Sequence, residues 1–187
     1  MNIIHSARTI LAAAAVLAVA GGATVASAAL PVGATAPDFQ LQGALAGKPL
    51  TFSLHEALSK GPVVLYFFPA AFTKGCTIEA HEFAEATDDF KKLGATVIGV
   101  TAGNVDRVAE FSSLECRDKF AVAADPDAKV ATEYQNIIQA DGRVISDRTS
   151  YVIAPGGKIL LSFTDKNPDT HIEKAMEAVK AYAKTAK

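Results

Sequence analysis

Apolar runs alternate with stretches of helical period along most of this chain. Pro62-Val-Val-Leu-Tyr-Phe-Phe68 is apolar throughout, entered from Gly61 and stopped by Pro69. Such a run without polar alternation predicts a strand buried on both faces. From Thr77 to Leu93 the large apolar positions are Ile78, Phe83, Phe90 and Leu93, with Glu and Asp between them. That spacing predicts a helix, with Lys91 and Lys92 in its last turn and Gly94 at its C-terminal cap. Ala95 to Thr101 is a second buried strand. Asn104 to Leu114 reads as a helix capped by Asn104, with Val105, Val108, Phe111 and Leu114 on one face. Phe120 to Ala124 is a short strand ended by Asp125-Pro126, and Ala128 to Tyr134 a brief helix. Asp141-Gly142 is a tight turn. Arg148 to Ile153 and Ile159 to Phe163 are strands joined by Ala-Pro-Gly-Gly, a hairpin signal. Thr170 to Lys184 is a closing helix, and Leu30 to Gln42 is extended. The order predicts one α/β layered domain: a central mixed sheet flanked by helices, parallel first and antiparallel at the hairpin.

The N-terminus does not fit this alternation. Met1 to Thr9 carries Arg8 and no acidic residue, and Ile10 to Ala20 is wholly apolar. Gly21-Gly22 and the small-residue site Ala26-Ser27-Ala28 follow, so residues 1–28 are expected to be a cleaved signal peptide and 29–187 the domain. The competing reading is an uncleaved membrane helix. Its apolar run is 11 residues, short of the roughly 20 that a span needs, and no basic stop-transfer cluster follows. The expected destination is a bacterial periplasm, with no membrane contact after signal removal. The formal net charge is −2 with no block of like charge, so nucleic acid is not an expected partner.

Two cysteines, Cys76 and Cys116, remain after the signal. In an oxidising compartment an even count has a plain structural explanation, a disulfide staple, although a domain of about 159 residues holds its core without one. The junction Tyr66-Phe-Phe-Pro-Ala-Ala-Phe-Thr-Lys-Gly-Cys76-Thr-Ile-Glu79 places Cys76 where a buried strand has ended and a helix begins. Active sites of open α/β sheets gather at that edge. Free backbone N–H groups and the positive end of the helix dipole favour a thiolate there. Thr73 can offer a hydroxyl to the same pocket, and Pro69 can wall it. Each alone could be a turn residue or a strand stop; the spacing Pro-x3-Thr-x2-Cys makes a specific pattern.

Pro69-Ala-Ala-Phe-Thr73-Lys-Gly-Cys76 resembles the signature of the peroxiredoxin family, whose domain is thioredoxin-like. Arg148, at the start of the strand leading to the last hairpin turn, matches the family's downstream arginine. Ala36-Pro37-Asp38-Phe39, Glu79 and Asp125-Pro126 match as well. Within the family the chain is similar to the bacterioferritin comigratory, or peroxiredoxin Q, branch. Two positions depart from it: Lys74 stands where many members have proline, and His81 where many have a second cysteine.

The resemblance implies a thiol peroxidase acting on hydrogen peroxide and organic hydroperoxides, with no cofactor or metal. Cys76 would be the peroxidatic nucleophile. Arg148 would stabilise the thiolate and the departing oxygen, Thr73 and the Cys76 N–H would align the peroxide, and Pro69 would exclude water. Glu79 would orient Arg148, or else be a surface helix residue. Cys116, 40 residues on, would resolve the sulfenic acid through an intramolecular disulfide, reduced in turn by a thioredoxin-like or other thiol donor. A monomer or weak homodimer is expected. Two other readings stand beside this one: a periplasmic thioredoxin-like disulfide exchanger, and a binding module stapled by Cys76 and Cys116. The exchanger would be expected to carry Cys-x-x-Cys, and Glu79 occupies the partner position.

Overall fold

The computed structural model describes residues 29–185; the expected signal peptide lies outside the described residues. In chain order the elements are β1 (Gln40–Leu45), β2 (Lys48–Ser53), α1 (Leu54–Leu58), β3 (Val63–Phe68), α2 (Lys74–Lys92), β4 (Thr96–Thr101), α3 (Val108–Leu114), β5 (Ala121–Ala124), α4 (Lys129–Glu133), β6 (Ile137–Ala140), β7 (Arg143–Ser146), β8 (Thr149–Ile153), β9 (Ile159–Thr164) and α5 (Asp169–Thr185). Seven strands form one sheet in the order β2-β1-β5-β4-β3-β8-β9, and β6 pairs with β7 apart from it. β3, β4 and β5 are parallel, whereas β8 runs antiparallel to β3, β9 to β8, and β1 to β5. The central mixed sheet is thus present, with two antiparallel strands added at its other edge.

β3 lies in the middle and every residue of it is buried. Its side chains alternate between two cores, as the twofold period of a strand requires. Val63, Leu65 and Phe67 pack with residues of α1 and α4. Val64, Tyr66 and Phe68 pack with residues of α2, α3 and α5. Each such side chain contributes about 1.5–3 kcal/mol on burial, so β3 is anchored from both sides up to Phe68. Tyr66 stacks on Phe83 of α2 with ring centroids 4.4 Å apart, which fixes the helix against the strand it follows.

Several elements depart from the sequence reading. The β1–β2 hairpin and α1 were not predicted. The hairpin turns on Ala46 (φ 52°) and Gly47 (φ 72°), a left-handed pair that usually advertises itself with Asn or Asp. Asp141-Gly142 is the expected turn, but it joins the unpredicted strands β6 and β7. Asn104 precedes a short 3₁₀ turn at Val105–Arg107 rather than capping α3, which begins only at Val108; Asn104 itself is left-handed and makes no side-chain capping bond. Its amide instead donates to the Ala71 carbonyl at 2.9 Å. Leu114, expected on the buried face, is exposed.

Candidate active site

α2 begins at the carboxyl end of β3, with Thr73 in the N-cap position and Cys76 in its first turn. The first helical bond runs from the Thr77 N–H to the Thr73 carbonyl at 2.9 Å. The Cys76 N–H precedes it and belongs to the turn whose donors have no intrahelical acceptor. The Cys76 side chain is 1% exposed. Its Sγ receives Nη2 of Arg148 at 3.5 Å. Arg148 lies between β7 and β8, and its own N–H donates to the Asp147 carboxylate at 2.8 Å. The other arm of the guanidinium, Nη1, donates to Glu79 Oε2. Glu79 stands three residues beyond Cys76 on the same helical face and is fully buried. Arg148 is buried with it, and the alternative reading of Glu79 as a surface helix residue does not hold.

Gly75 has a role that was not read from the sequence. A Cβ at this position would lie 3.0 Å from Arg148 Nη2, so its lack of a side chain lets the guanidinium reach over the helix start. Ser150 and His171 were missed as well. His171, at the start of α5, is fully buried. Its Nδ1 meets Ser150 Oγ at 2.8 Å and its Nε2 meets the Asp165 carbonyl at 3.0 Å. Nδ1 also lies 3.7 Å from Glu79 Oε1. No sequence pattern ties these three positions together.

Burial pushes the Glu79 carboxyl up to about 8, against the pull of Arg148 and with some addition from Glu82. Burial pulls the Arg148 guanidinium down, but Glu79 and Cys76 outweigh it and hold the group above its ordinary value. Burial holds His171 below the ordinary histidine range. One fixed cation therefore serves two buried acidic groups.

The loop between β3 and α2 is tied down. The Pro69 carbonyl accepts from Thr101 Oγ1 at 3.2 Å, and the Ala71 N–H donates to the Gly103 carbonyl at 3.3 Å. Phe72 is held at φ 64°, edge-on to Phe111 with centroids 5.2 Å apart. The Arg107 guanidinium covers its outer face at 3.8 Å. Pro69 is half-buried at the start of this loop. Thr73 differs from expectation: it is exposed, and its hydroxyl donates to the Ala70 carbonyl at 3.1 Å.

Residues 32–162 match the AhpC/TSA family. A peroxiredoxin Q of Arabidopsis chloroplasts is 31% identical over 150 residues, covering 80% of this chain and 67% of the relative. The crystal structure of the peroxidoxin BcpB from Mycobacterium tuberculosis superposes with a TM-score of 0.73 at 30% identity, covering 80% of this chain and 96% of that one. The chain is a peroxiredoxin of the AhpC/TSA family. A Xylella fastidiosa PrxQ structure, at 24% identity and a TM-score of 0.71 over 83% of this chain and 99% of that one, shares the thioredoxin-like fold. As a peroxiredoxin the protein is a thiol peroxidase, and its similarity is to the bacterioferritin comigratory and peroxiredoxin Q branch.

Both thiols of this peroxiredoxin are free and buried. Cys116 follows α3, its N–H donating to the Phe111 carbonyl at 3.1 Å. It packs in the same apolar cluster as Cys76, but no disulfide joins them. Burial, and then Glu115, push its thiol well above the ordinary value, against the pull of the Tyr66 hydroxyl beside it. The segment around it is fastened to α2 by His81–Glu115 at 2.7 Å, Arg117–Glu85 at 3.0 Å and Lys119–Asp88 at 2.8 Å. His81 is thus a helix residue hydrogen-bonded across to the Cys116 segment. Its ring nitrogen is committed to Glu115.

Proposed function

We propose that this peroxiredoxin reduces hydrogen peroxide and organic hydroperoxides through Cys76. The observation that carries the reading is Arg148 Nη2 at 3.5 Å from Cys76 Sγ, a permanent cation on a buried sulfur at a helix start. The thiolate attacks the nearer oxygen of the O–O bond, the bond breaks, and the distal oxygen leaves as hydroxide or alkoxide. With one proton taken up the products are a sulfenic acid and water or an alcohol. Arg148 donors face the place where negative charge builds on the leaving oxygen. The Thr73 hydroxyl keeps its acceptor lone pairs for the peroxide O–H while it donates to Ala70, and Pro69 limits the entry of water.

Cys116 then condenses with the sulfenic acid, releasing water and forming an intramolecular disulfide. Disulfide geometry needs Cα atoms within about 7 Å, so the first turn of α2 and the segment around Cys116 must rearrange to meet. A thioredoxin-like thiol donor reduces the bond by exchange. A disulfide-exchange role is less favoured, because the position that would hold its second cysteine is Glu79, buried and bonded to Arg148. We further place the mature chain in a periplasm, as a monomer or weak dimer. Rapid peroxide consumption that disappears in Cys76→Ser supports the peroxidase reading, and equal rates would overturn it. Mass spectrometry after one equivalent of peroxide should find Cys76 bonded to Cys116 within one chain; a persistent Cys76 sulfenic acid beside a free Cys116 refutes the resolving step.

A further inference from the structure

Between Glu115 and Lys119 only Cys116 is buried; Arg117, Asp118 and Lys119 are exposed and Glu115 is half-buried. The residues on either side of the thiol reach across to α2. His81 Nε2 meets Glu115 Oε2 at 2.7 Å, Arg117 Nη1 donates to Glu85 at 3.0 Å, and Lys119 Nζ donates to Asp88 at 2.8 Å. Lys91 Nζ then donates to the Lys119 carbonyl at 3.4 Å. Residues 81, 85, 88 and 91 recur at the three- and four-residue spacing that makes one stripe along a helix. Their partners 115, 117 and 119 recur at every second position, and Cys116 between them lies in the apolar cluster that also holds Cys76. The stripe begins five residues after Cys76, about 7.5 Å further along the helix axis.

This fastening is weak and holds a strained turn. The backbone–backbone hydrogen bonds made by the N–H groups of 115–119 end on Phe111, Ser112 and Cys116, and among the described residues none crosses to α2. The Arg117–Glu85 and Lys119–Asp88 pairs are exposed, and exposed pairs contribute little each and are screened by salt. Arg117 (φ 50°) and Asp118 (φ 59°) are consecutive left-handed residues, a conformation that residues with a Cβ seldom adopt singly and more rarely in sequence. Release of the segment therefore relieves the backbone and breaks no bond of a sheet or helix. Besides the side-chain contacts, what opposes release is the burial of Cys116 itself.

We propose that His81, Glu85, Asp88 and Lys91 form a latch that keeps the Cys116 segment against α2 in the reduced protein, and that its opening sets how fast Cys116 reaches the Cys76 sulfenic acid. The four are positioning residues for the resolving thiol, and the inference rests on the reading of Cys116 as that thiol. In the gated step the Cys116 sulfur bonds to the Cys76 sulfur as the S–O bond breaks, and the thiol proton leaves with the hydroxyl as water. Ionic strength then acts on the two half-reactions differently. It loosens the exposed latch, whereas the contacts of Arg148 with Cys76 and Glu79 are buried and are screened much less.

Opening can be measured without peroxide. In a Cys76→Ser background, labelling of Cys116 by iodoacetamide, an uncharged reagent, should accelerate about three- to tenfold between about 0.01 and 1 M sodium chloride, as the screening length falls from about 30 to about 3 Å. Glu85→Gln combined with Asp88→Asn should label near the high-salt rate at every salt concentration. Glu85→Arg should label faster than the parent, and adding Arg117→Glu should bring the rate back to within about twofold. A parent rate that is flat with salt, or a charge swap that restores nothing, overturns the latch. In the protein with both cysteines, samples quenched after one equivalent of hydrogen peroxide should show disulfide forming faster in Glu85→Gln/Asp88→Asn by the same factor as the labelling. Oxidation of Cys76, which these side chains do not touch, should stay within about twofold of the parent. Equal rates of disulfide formation in parent and variant overturn the gate. Labelling that follows the latch while no disulfide forms in any variant shows that Cys116 is not the resolving thiol; the gate then falls with that reading, and the latch stands.

Discussion

Arg148→Met separates stability from catalysis at this site. The side chain is 8% exposed, touches Cys76 Sγ and Glu79 Oε2, and is close in volume to methionine. Because burial holds the Glu79 carboxyl up to about 8, and the loss of the cation can only raise it further, Arg148→Met leaves a neutral acid at pH 7. The cost is then that of buried hydrogen bonds unmade, about 1–3 kcal/mol. At about 2–4 °C per kcal/mol for a domain of this size, Tm falls by roughly 2–12 °C. The chemistry loses much more. Removing a donor aimed at a developing negative charge costs about 2.7–4 kcal/mol, a factor of roughly 10²–10³. The assay is the second-order rate of Cys76 oxidation by hydrogen peroxide in stopped flow, with Tm from circular dichroism on the same samples. A rate within tenfold of the parent refutes the placement of Arg148 at the reacting atoms. A stability loss of about 3–5 kcal/mol at pH 7, the cost of stranding a buried charge, refutes the neutral Glu79.

Three further outcomes are expected. Gly75→Ala, which sets a methyl 3.0 Å from Arg148 Nη2, should lower the peroxide rate several-fold. It should leave stability unchanged or raise it by up to about 1 kcal/mol of helix propensity; an unchanged rate shows that Arg148 yields freely. The folded-state carboxyl of Glu79 is raised from 4.5 to about 8, so its stability contribution is complete below about pH 4.5 and is lost as pH rises through 8. Urea unfolding should find the parent falling relative to Glu79→Gln by on the order of 3–5 kcal/mol over that window, and parallel curves contradict this. Burial holds the Cys116 thiol protonated, so iodoacetamide should label it in the native reduced protein much more slowly than after denaturation; comparable rates would mean that its segment opens freely.

What could be read locally was read well. β3 and β4 appear as unbroken apolar runs because both faces of a central strand are covered, and α2 appears in the spacing of Phe83 and Phe90 because those residues share one buried stripe. The β1–β2 hairpin escaped because its left-handed turn rests on Ala46 and Gly47, and because its edge strands are largely open to solvent. α1 is five residues long, too short for a period to show. Asn104 has the chemistry of an N-cap, but tertiary packing gave its amide to Ala71 instead.

The sequence by itself determined that a buried strand would deliver Cys76 to a helix start beside Pro69 and Thr73, since strand, stop and helix lie within a dozen consecutive residues whose preferences are local. It also marked Arg148 and Cys116 as candidates through resemblance to the peroxiredoxins. Only the tertiary structure decided what the site is made of. Glu79 is buried because the face of α2 that carries Cys76 packs inward, and His171 and Ser150 come to it from α5 and β8, 92 and 71 positions away in the chain. Periodicity reports which side of an element faces the interior. It carries no information about which polar group waits there, because that partner is chosen by the sheet order and by the packing of α5 across it.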